Sequence, residues 1–345
     1  MQAKDGKDMV TIKDIAKLAN VSHTTVSRAL NNSPLIKEPT KRKILDIASQ
    51  LNYTPNYNAK SLVMQKSHTI GLFFSTISDG TSTSFLADAI KGVNSVISED
   101  YNLFVRGIDD YEDFSSINSK RYDGIILMSQ SDADNAFIYH VREKNIPLVV
   151  LNRQLEDRTI INILSNDREG SHHAVNYLIK CGHQKIAIIE GKEEFKSSHE
   201  RKNGYLSALI EKNIPIHHEY SEKGNYEMQG GYTAMEKLLS LEKPPTAVFC
   251  SNDDMAIGAM NAIFAKGLSV PHDISVIGFD DIGFAKYTTP RLTTVKRPME
   301  EISIQGAKSI LSLMSQQEDQ GGNHFENTEL IIRDSVRALN DSSPV

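Results

Sequence analysis

The sequence lacks long apolar runs and has few cysteines. No stretch approaches the roughly 18–20 apolar residues that span a bilayer, so no membrane partner is predicted. The first eight residues are polar and no apolar segment follows them, which predicts a cytoplasmic, nucleoid-associated protein without a secretory signal. Cys181 and Cys250 lie far apart, without metal-ligand spacing around either. We therefore predict two free thiols and no disulfide framework.

Catalytic motifs are also missing from the sequence. The eleven histidines are scattered, and His172–His173 and His217–His218 are adjacent pairs, whereas metal ligands on a helix are spaced i, i+4. There is no G-x-S-x-G, phosphate-binding loop or H-E-x-x-H motif. We predict no catalytic residues, no metal site and no cofactor, and a protein that is not an enzyme.

Charge is distributed unevenly along the 345 residues, which suffice for two or three domains. The net charge of −6 argues against nucleic acid as a partner. Residues 1–66, however, carry 11 Lys and Arg against 5 Asp and Glu, a net of +6, and the remainder carries −12. A basic N-terminal unit joined to an acidic body is typical of a small polyanion-binding module, although charge also varies along any chain.

The N-terminal region carries the pattern of two short helices. Thr11, with Asp14 three residues later, forms a capping box ahead of an apolar stripe. Asn20-Val21 interrupts that stripe, and Ser22 offers a second N-cap before a helix that turns Val26 inward. Two short helices joined by about four residues, the second rich in exposed polar side chains, predict a helix-turn-helix.

A third amphipathic helix is predicted from about Pro39. Its outer face carries Lys41, Arg42 and Lys43, close to where DNA phosphates would lie. The segment from Tyr53 to Leu62 is polar and short, so it should be marginal as an isolated helix in water. It could fold on contact with DNA and a second copy, or it could be a plain linker.

Three runs in this region resemble the LacI family of bacterial repressors. They are Val10-Thr-Ile-Lys-Asp-Ile-Ala16, Val21-Ser-His-Thr-Thr-Val-Ser-Arg-Ala-Leu-Asn31 and Leu51-Asn-Tyr-Thr-Pro-Asn56, the last followed by Ala59 and Leu62. Their order and spacing match the family without a gap. The resemblance implies a regulator that binds a palindromic, double-stranded operator DNA as a homodimer. Residues 337–345 show no leucine heptad, which favours a dimer over a tetramer.

The resemblance also implies which residues contact DNA. The helix beginning at Ser22 would enter the major groove, where His23, Thr24 and Arg28 match base-reading positions. Phosphate contacts set the register without reading sequence. The matching positions are Ser22, Thr25 and Asn31, with Thr11 as a further candidate. For Ser22, helix capping alone is the structural alternative.

The hinge positions follow the same resemblance. Leu62 matches the leucine that the family inserts between base pairs of the minor groove. Ala59 matches the small residue that lets two hinge helices approach, and Asn56 matches a polar contact with the minor groove or backbone. Tyr53, in the same run, is a further candidate DNA contact. Val63 departs from the family, which often has Ala or Arg at that position.

From residue 67 onward, short apolar runs alternate with helical stretches. The predicted strands are Thr69–Ser75, Tyr101–Ile108, Gly124–Met128, Pro147–Asn152, Ile161–Ser165, Lys185–Glu190, Thr246–Ser251 and Ser275–Phe279. Helices predicted between them include Leu86–Asp100, Gly170–Gly182 and Asp254–Lys266. Near-continuous apolar strands separated by helices predict parallel sheets covered on both faces, and this length predicts two lobes.

The resemblance adds the fold of the periplasmic sugar-binding proteins, in which the chain crosses between lobes three times. We expect crossings near Ile160, Pro290 and residues 323–327. The predicted fold is an all-α helix-turn-helix domain plus an α/β two-lobed effector domain. The predicted boundaries are a disordered tail over 1–8, the helix-turn-helix domain over 9–54, a hinge over 55–66, one lobe over 67–160 and 290–323, the other over 161–289 and 324–338, and a tail over 339–345.

Polar residues that follow strands are the candidates for the cleft between the lobes, where α/β sheets bind ligands. Arg201 and Asp280 match the family's effector-binding arginine and aspartate, and Tyr226 matches an aromatic position that can stack on a sugar ring. The remaining candidates are Ser75, Asp79 and Asn252. Structural alternatives stay open, such as helix capping for Asn252 and a surface salt bridge for Arg201.

The leading hypothesis is a repressor of a carbohydrate-utilisation operon, whose operator affinity changes when a small sugar or sugar derivative binds in the cleft. Purines and nucleosides also serve as effectors in this family. A phosphoprotein corepressor, as in the catabolite-control branch, is a second possible trigger. A transport-associated solute-binding protein would share the two lobes, but the DNA-reading helix and the missing secretory signal oppose it.

Overall fold

Two units make up the chain, residues 1–65 and 66–345. The computed structural model describes residues 10–30, 32–51, 53, 67–78, 81–97, 100–316 and 321–339. The predicted tail over 1–8 and the predicted hinge over 55–66 lie outside the described residues. No helix of the described part is both long and apolar enough to cross a membrane.

The described part of the first unit is a bundle of three helices, α1 (Ile12–Ala19), α2 (His23–Leu30) and α3 (Glu38–Gln50). Their apolar stripes meet in one small core of Ile15, Ala16, Ala19, Val26, Ala29, Ile44 and Ala48. Asn20 adopts a left-handed conformation at φ 56° and ends α1, so only residues 20–22 separate it from α2. The two-helix pattern predicted from the sequence is present.

The second unit contains two six-stranded sheets, which define two lobes. The sheet of lobe 1 has the order β11-β5-β4-β3-β1-β2, and all its strand pairs are parallel. Its strands are β1 (Thr69–Phe74), β2 (Asn102–Gly107), β3 (Gly124–Met128), β4 (Leu148–Leu151), β5 (Ile161–Ser165) and β11 (Gly322–Glu326).

Alternation along the strands of lobe 1 gives its sheet two apolar faces. Leu72 and Phe74 face α4 (Thr83–Ile97) and α10 (Met299–Met314), whereas Phe73 between them faces α5 (Asn135–Glu143). Successive strand residues point to opposite faces, so a continuous apolar run is required where both faces are covered.

The sheet of lobe 2 has the order β12-β10-β9-β8-β6-β7. Its strands are β6 (Ile186–Glu190), β7 (Ser221–Lys223), β8 (Ala247–Cys250), β9 (Ser275–Asp280), β10 (Thr293–Lys296) and β12 (Glu329–Ile331). Two helices pack on each face: α6 (Asp167–Lys180) and α7 (Lys196–Glu211) on one, α8 (Met228–Leu239) and α9 (Asp253–Ala265) on the other. The pair β10–β12 is antiparallel, whereas the sequence predicts parallel sheets.

The predicted lobe boundaries are wrong by several residues. β5 pairs with β4 and β11 in lobe 1, so the first crossing follows Ser165 and not Ile160. β10 pairs with β9 in lobe 2, so the second crossing follows Lys296 and not Pro290. The third lies at residues 327–328, because all of β11 belongs to lobe 1. An apolar run predicts a strand, but it does not say which sheet the strand joins.

Candidate DNA-binding surface and ligand cavity

The helix predicted to read bases has one buried and one exposed side. Val26 and Ala29 are buried in the three-helix core, whereas His23, Thr24 and Arg28 are exposed. Thr24 and Arg28 are four residues apart and therefore lie on the same side of α2. The exposed side carries an imidazole, a hydroxyl and a guanidinium group, all of which can bond base edges.

Side chains cap the N-terminal ends of both α1 and α2. The Oγ of Ser22 accepts a hydrogen bond from the Thr25 backbone N–H at 3.1 Å and lies 2.9 Å from the Thr25 hydroxyl. At α1, the Thr11 backbone N–H and hydroxyl both donate to the Asp14 carboxylate, at 2.9 and 2.7 Å, which lowers the pKa of Asp14. These contacts satisfy donors that a helix start leaves unpaired.

The cations of α3 are partly engaged within the unit. Lys43 donates to the carbonyl oxygen of Ala19 at 3.0 Å and so caps the end of α1. Lys41 bonds the Asn32 side chain and lies 3.6 Å from Glu38. Arg42 is exposed and has no ion pair among the described residues, so it is the cation of this face that remains available to a phosphate.

Of the five remaining predicted DNA contacts, Tyr53 is among the residues that the structure describes. Tyr53 is half-buried against the three-helix core, and its backbone N–H donates to Ala48 at 2.9 Å. Its ring therefore stabilises the bundle whether or not it touches DNA. The candidates Asn31, Asn56, Ala59 and Leu62 lie outside the described residues.

A cavity lies between the two lobes of the second unit. Its lining, called here the interlobe cavity, is Thr81, Ser82, Phe85, Gln130, Asn152, Ser197, Arg201, Tyr226, Asn252, Asp280 and Arg297. Four of the six predicted effector contacts belong to it. Its volume is about 30 Å³, which is room for one or two waters. A sugar would therefore enter only when the lobes or the lining side chains move apart.

Arg201 is the centre of a buried ionic network in this cavity. Its side chain is 2% exposed, and its Nε donates to Asp167 at 2.9 Å while one Nη donates to Asp280 at 3.2 Å. The other Nη bonds the Ser251 carbonyl, and the guanidinium lies 3.8 Å from the centre of the Phe279 ring. The alternative of a surface salt bridge is wrong for Arg201, because the group is buried.

The four charged groups of the network balance one another. Burial raises the pKa of Asp280, and the Arg201 and Arg297 guanidinium groups offset only part of that rise. Burial also acts to raise the pKa of Asp167, but Arg297 and Arg201 outweigh it and hold this pKa below its usual value. For Arg201, burial acts to lower the pKa, and the two carboxylates reverse the shift and raise it. Two cations and two anions leave the cavity close to neutral.

Arg297 connects the two lobes at the second crossing. Its Nε donates to the Ser165 hydroxyl at 2.8 Å, one Nη bonds the Asn152 side chain, and Asp167 lies 3.5 Å away. Asn152 follows β4 and Ser165 ends β5, both in lobe 1, whereas Asp167 begins α6 of lobe 2. A change in the angle between the lobes would therefore alter the hydrogen bonds and the ion pair of the Arg297 guanidinium group.

Tyr226 and Asn252 line the cavity from lobe 2. The Tyr226 hydroxyl lies 3.1 Å from the Ser197 hydroxyl, and its ring packs so closely on Gly191 that a Cβ there would stand 2.1 Å from the ring. Asn252 caps α9 by accepting from the Met255 N–H at 2.9 Å, and it donates to the Tyr226 carbonyl at 3.2 Å. Asn252 thus caps a helix and also faces the cavity.

Ser75 is not in the lining of this cavity. Its hydroxyl donates to Asp134 at 2.6 Å and accepts from the Gln130 N–H at 2.8 Å, so both of its roles are taken by the fold. The prediction that Ser75 contacts the effector is therefore not supported. Asp79 lies outside the described residues.

One further pair of contacts closes the lobes over the cavity. Lys196 at the start of α7 forms an ion pair with Asp132 of lobe 1 at 2.7 Å, and its backbone N–H donates to the Gln130 carbonyl at 2.9 Å. Arg153, 3% exposed, also donates to Asp132 at 2.9 Å. The Lys196 and Arg153 cations both lower the pKa of Asp132, the Lys196 hydrogen bond most strongly.

Comparisons with known proteins agree with this geometry. The profile of bacterial regulatory proteins of the lacI family matches residues 11–56, and that of the periplasmic binding protein-like domain matches residues 175–336. The probable HTH-type transcriptional repressor ExuR of Bacillus subtilis strain 168 is 73% identical over 331 residues, which cover 96% of this chain and 99% of the relative. The chain belongs to the LacI family.

Other members of the family are also similar to this chain. The HTH-type transcriptional repressor PurR of Actinobacillus pleuropneumoniae serotype 3 is 34% identical and covers 96% of this chain and 100% of its own. The lac repressor dimer bound to operator and the anti-inducer ONPF aligns with a TM-score of 0.84 at 26% identity, over 95% of this chain and 99% of that one. The transcriptional regulator CelR in complex with cellobiose aligns with a TM-score of 0.72 at 25% identity, over 94% and 99%.

As a LacI-family member, the protein is a DNA-binding transcriptional repressor and not an enzyme. The predicted fold, a helix-turn-helix domain plus a periplasmic-binding-protein-like domain, is confirmed.

The sequence interpretation missed several residues of the cavity. Asn152 directly follows β4 and Gln130 lies two residues after the end of β3, so the rule that polar residues after strands face the cleft would have found them. Arg297 follows β10, a strand that was not predicted. Ser197 lies at the start of α7, and no sequence signal distinguished it from an ordinary surface serine.

Proposed function

We propose that the protein represses a carbohydrate-utilisation operon by binding a palindromic operator as a homodimer, and that a small sugar or sugar derivative in the interlobe cavity changes its operator affinity. The observation that carries the proposal is the buried network of Arg201, Asp280, Asp167 and Arg297, which joins the cavity to the crossing between the lobes. We place this activity in the cytoplasm, where operator DNA is found.

The chemistry of the cavity favours a neutral polyhydroxylated effector. Its charged groups balance, and its polar groups are amides, hydroxyls and paired ions that can exchange hydrogen bonds with sugar hydroxyls. Phe85 and Tyr226 supply aromatic rings for the apolar face of a sugar. CelR bound to cellobiose and a family regulator bound to ribose are similar in fold and support a sugar ligand.

Effector binding can change the spacing of the lobes, because both lobes contribute residues to the lining of the cavity. Gln130 and Asn152 belong to lobe 1, whereas Arg201, Asn252 and Asp280 belong to lobe 2. A ligand larger than the 30 Å³ cavity must change the spacing of these groups. An effector shifts an equilibrium only by its difference in affinity for the two states, and contacts to both lobes supply such a difference.

An exposed apolar patch supports association with a second copy. Phe284 and Tyr287 are 72% and 74% exposed, and they line a groove of about 260 Å³ with Met228, Ile257 and Ile282. Large exposed apolar groups that cluster in this way are typical of protein–protein contacts. The similar lac repressor is a dimer on its operator.

The DNA and ligand functions are tested together on the full chain. Selection from a random DNA library should recover a sequence with two inverted half-sites, and its Kd should then be measured by fluorescence anisotropy. Sugars, sugar acids and sugar phosphates are added at millimolar concentration, and the melting temperature is recorded in parallel. At least one sugar should raise the melting temperature and change the Kd.

The proposal would be contradicted by an asymmetric selected site or by a chain that remains monomeric on that site. Tight operator binding that no small molecule alters would instead favour a protein corepressor. Phe284→Ser should weaken dimerisation, and Phe264→Ser, at a residue 39% exposed and outside the groove, serves as its control.

A further inference from the structure

The chain enters lobe 1 at Ser67 and His68, the two residues that directly precede β1. They are the first residues of the second unit that the structure describes, and the chain reaches the DNA-binding unit only through them. The strand ladder itself begins at Thr69, which pairs with Asn102 of β2. Ser67 and His68 therefore need other partners if the entry of the chain is to be fixed.

The carboxylate of Asp123, the residue before β3, supplies these partners. Its Oδ1 accepts from the Ser67 backbone N–H at 2.8 Å, and its Oδ2 accepts from the His68 backbone N–H at 2.7 Å. In return, the Asp123 backbone N–H donates to the carbonyl oxygen of Thr69 at 2.9 Å. Hydrogen bonds to an ionised carboxylate are shorter and stronger than those between neutral groups. One side chain thus holds two consecutive residues ahead of the strand, an arrangement called here the entry clasp.

His68 is held from a second side by β2. Its carbonyl oxygen accepts from the Asn102 backbone N–H at 2.8 Å, and the centre of its ring lies 6.0 Å from that of Tyr101. The φ angle of His68 is 49°, in the left-handed region that residues with a side chain rarely adopt. Such a conformation persists only where the surroundings hold it. Strands β1, β2 and β3 therefore set the direction of the chain at its entry together.

The charge of Asp123 has no partner of opposite sign among the described residues. The side chain is half-buried and forms no ion pair with any of them. Burial raises the pKa of the neighbouring Tyr101, and the charges of Asp123 and Asp100 add to that rise. A charge that is partly removed from water and unpaired is costly unless hydrogen bonds satisfy it. What the carboxylate provides at this position is two strong acceptors side by side, one for each N–H group.

We propose that Asp123 is a positioning residue for operator binding. It fixes in advance the point and direction at which the chain from the DNA-binding unit joins lobe 1. The two copies of a dimer then bind two half-sites without first ordering residues 67 and 68. Because Asp123 belongs to lobe 1, a rotation of that lobe moves the joint with it. This inference rests on the proposed function, since it needs an operator that two copies bind.

The expected effect follows from conformational entropy. Ordering a backbone residue costs free energy, and a chain that is ordered before it binds avoids that cost at binding. Without the entry clasp, two residues in each of two copies must be ordered when the operator binds. Asp123→Ala should therefore raise the operator Kd by about tenfold or more. Asp123→Asn keeps one acceptor oxygen and should raise it by about threefold.

The measurement that distinguishes positioning from folding is the affinity for unrelated DNA. A single helix-turn-helix can contact phosphates wherever its joint to lobe 1 lies, so the Kd for a random-sequence duplex should stay within about twofold. Anisotropy titrations of the full chain against the selected operator and against this duplex give both constants. Hydrogen–deuterium exchange in peptides that contain residues 67 and 68 should become faster in both variants.

A matched control removes a bond of the same kind elsewhere in lobe 1. Asp113 accepts from the Ser115 backbone N–H at 2.7 Å, in the loop between β2 and β3. Asp113→Asn should leave both DNA affinities unchanged. The melting temperature and analytical ultracentrifugation report whether each variant is folded and dimeric. If Asp123→Ala does not fold, Asp123→Asn carries the test, because it is nearly the same size as the original side chain.

The outcomes separate this inference from the proposed function. Asp123 has no positioning role if a folded, dimeric variant keeps the operator Kd of the unaltered chain, or if exchange at residues 67 and 68 does not change. The role is also overturned if the Kd for random-sequence DNA rises by the same factor as that for the operator, because the loss would then belong to the helix-turn-helix. If the unaltered chain binds no selected DNA as a dimer, the proposed function is overturned and the inference with it.

Discussion

In the first unit, the side chains proposed to read DNA are exposed on α2, whereas in the second unit the side chains proposed to hold the effector are buried. Arg28 has no ion pair among the described residues, while Arg201 donates to two carboxylates and one carbonyl. The recognition surface of the first unit can therefore change without cost to the bundle beneath it. In the second unit the same groups both bind the effector and hold the fold together.

The largest expected effect comes from removing the buried guanidinium. Arg201→Met leaves the Asp167 and Asp280 carboxylates without their main partner and should lower the free energy of unfolding by about 3–5 kcal/mol. Urea unfolding followed by tyrosine fluorescence measures this, because ten of the twelve tyrosines lie in the second unit and there is no tryptophan. Lys202→Met removes only a pair with Glu190 that is 41% exposed on the lysine side, and should cost less than about 1 kcal/mol. If the two variants were equally stable, the buried Arg201 network would not hold the fold of the second unit together.

A smaller effect, and one without loss of stability, is expected on the exposed side. Arg28→Ala should weaken operator binding by about 1–3 kcal/mol and relax the preference at one base pair. Arg42→Ala should weaken binding to all sequences alike and reduce the salt dependence by about one phosphate contact. Anisotropy titrations against the selected operator and its single-base variants, at several salt concentrations, distinguish the two. A uniform loss in the Arg28 variant would assign that residue to a phosphate.

Asp254 tests the comparison through pH, because it is a half-buried carboxyl that forms no ion pair with another residue of the described part of the chain. Burial, and then the nearby Asp280 charge, raise its pKa to about 6. The folded protein therefore holds this proton more tightly than the unfolded chain does. The stability that Asp254 contributes is full below about pH 4 and is lost as the pH rises through about 6.

Asp254→Asn should remove this dependence. Because the start of α9 also favours a negative charge, we expect a gain of only about 1–2 kcal/mol at pH 7.5 and none at pH 4. Urea unfolding of both proteins across this range measures the difference. The exposed Glu242→Gln serves as the control and should leave the pH profile unchanged. A gain that is the same at both pH values would contradict the assignment.

Much of the fold can be predicted from the sequence, and the missed strands have two causes. All eight predicted strands are present. Seven are apolar runs that are buried on both faces, and the eighth, β2, lies at a sheet edge but carries the apolar run Leu103-Phe-Val105. The missed strands β7, β11 and β12 lie at sheet edges, where one side is open to water and no apolar run is needed. β10 is buried, but its Thr-Thr-Val-Lys sequence is too short and polar to stand out.

The cavity is predictable only where a side chain follows a recognised strand. Arg201 and Asp280 are predicted from the family resemblance. In the structure, an Arg201 Nη donates to an Asp280 carboxylate oxygen at 3.2 Å. Arg297 could not be found without β10. Ser75 also follows a strand, but its short side chain donates a hydrogen bond to Asp134 and does not line the cavity. Position after a strand thus brings a residue to the right edge of the sheet, and side-chain length and partners decide whether it faces the cavity.

Ser22 is the residue at which the contrast between the units breaks down, because it is exposed and yet part of the fold. Its Oγ caps α2 through the Thr25 N–H, and when the Thr25 hydroxyl donates to the same Oγ, the Ser22 proton remains for a phosphate. Ser22→Ala should lower the stability of the first unit by about 1 kcal/mol, which hydrogen–deuterium exchange of the α2 backbone amides measures in the full chain.

Ser22→Asp separates the two roles, since aspartate caps a helix as well as serine does but repels a phosphate. If Ser22 only caps, this variant keeps both stability and operator affinity. If it also contacts DNA, stability is kept while affinity falls by about tenfold, because a like charge is placed beside the backbone. Loss of stability in Ser22→Asp would mean that the cap depends on the Thr25 hydroxyl, and the exposed surface of α2 would then be as coupled to its fold as the buried cavity is.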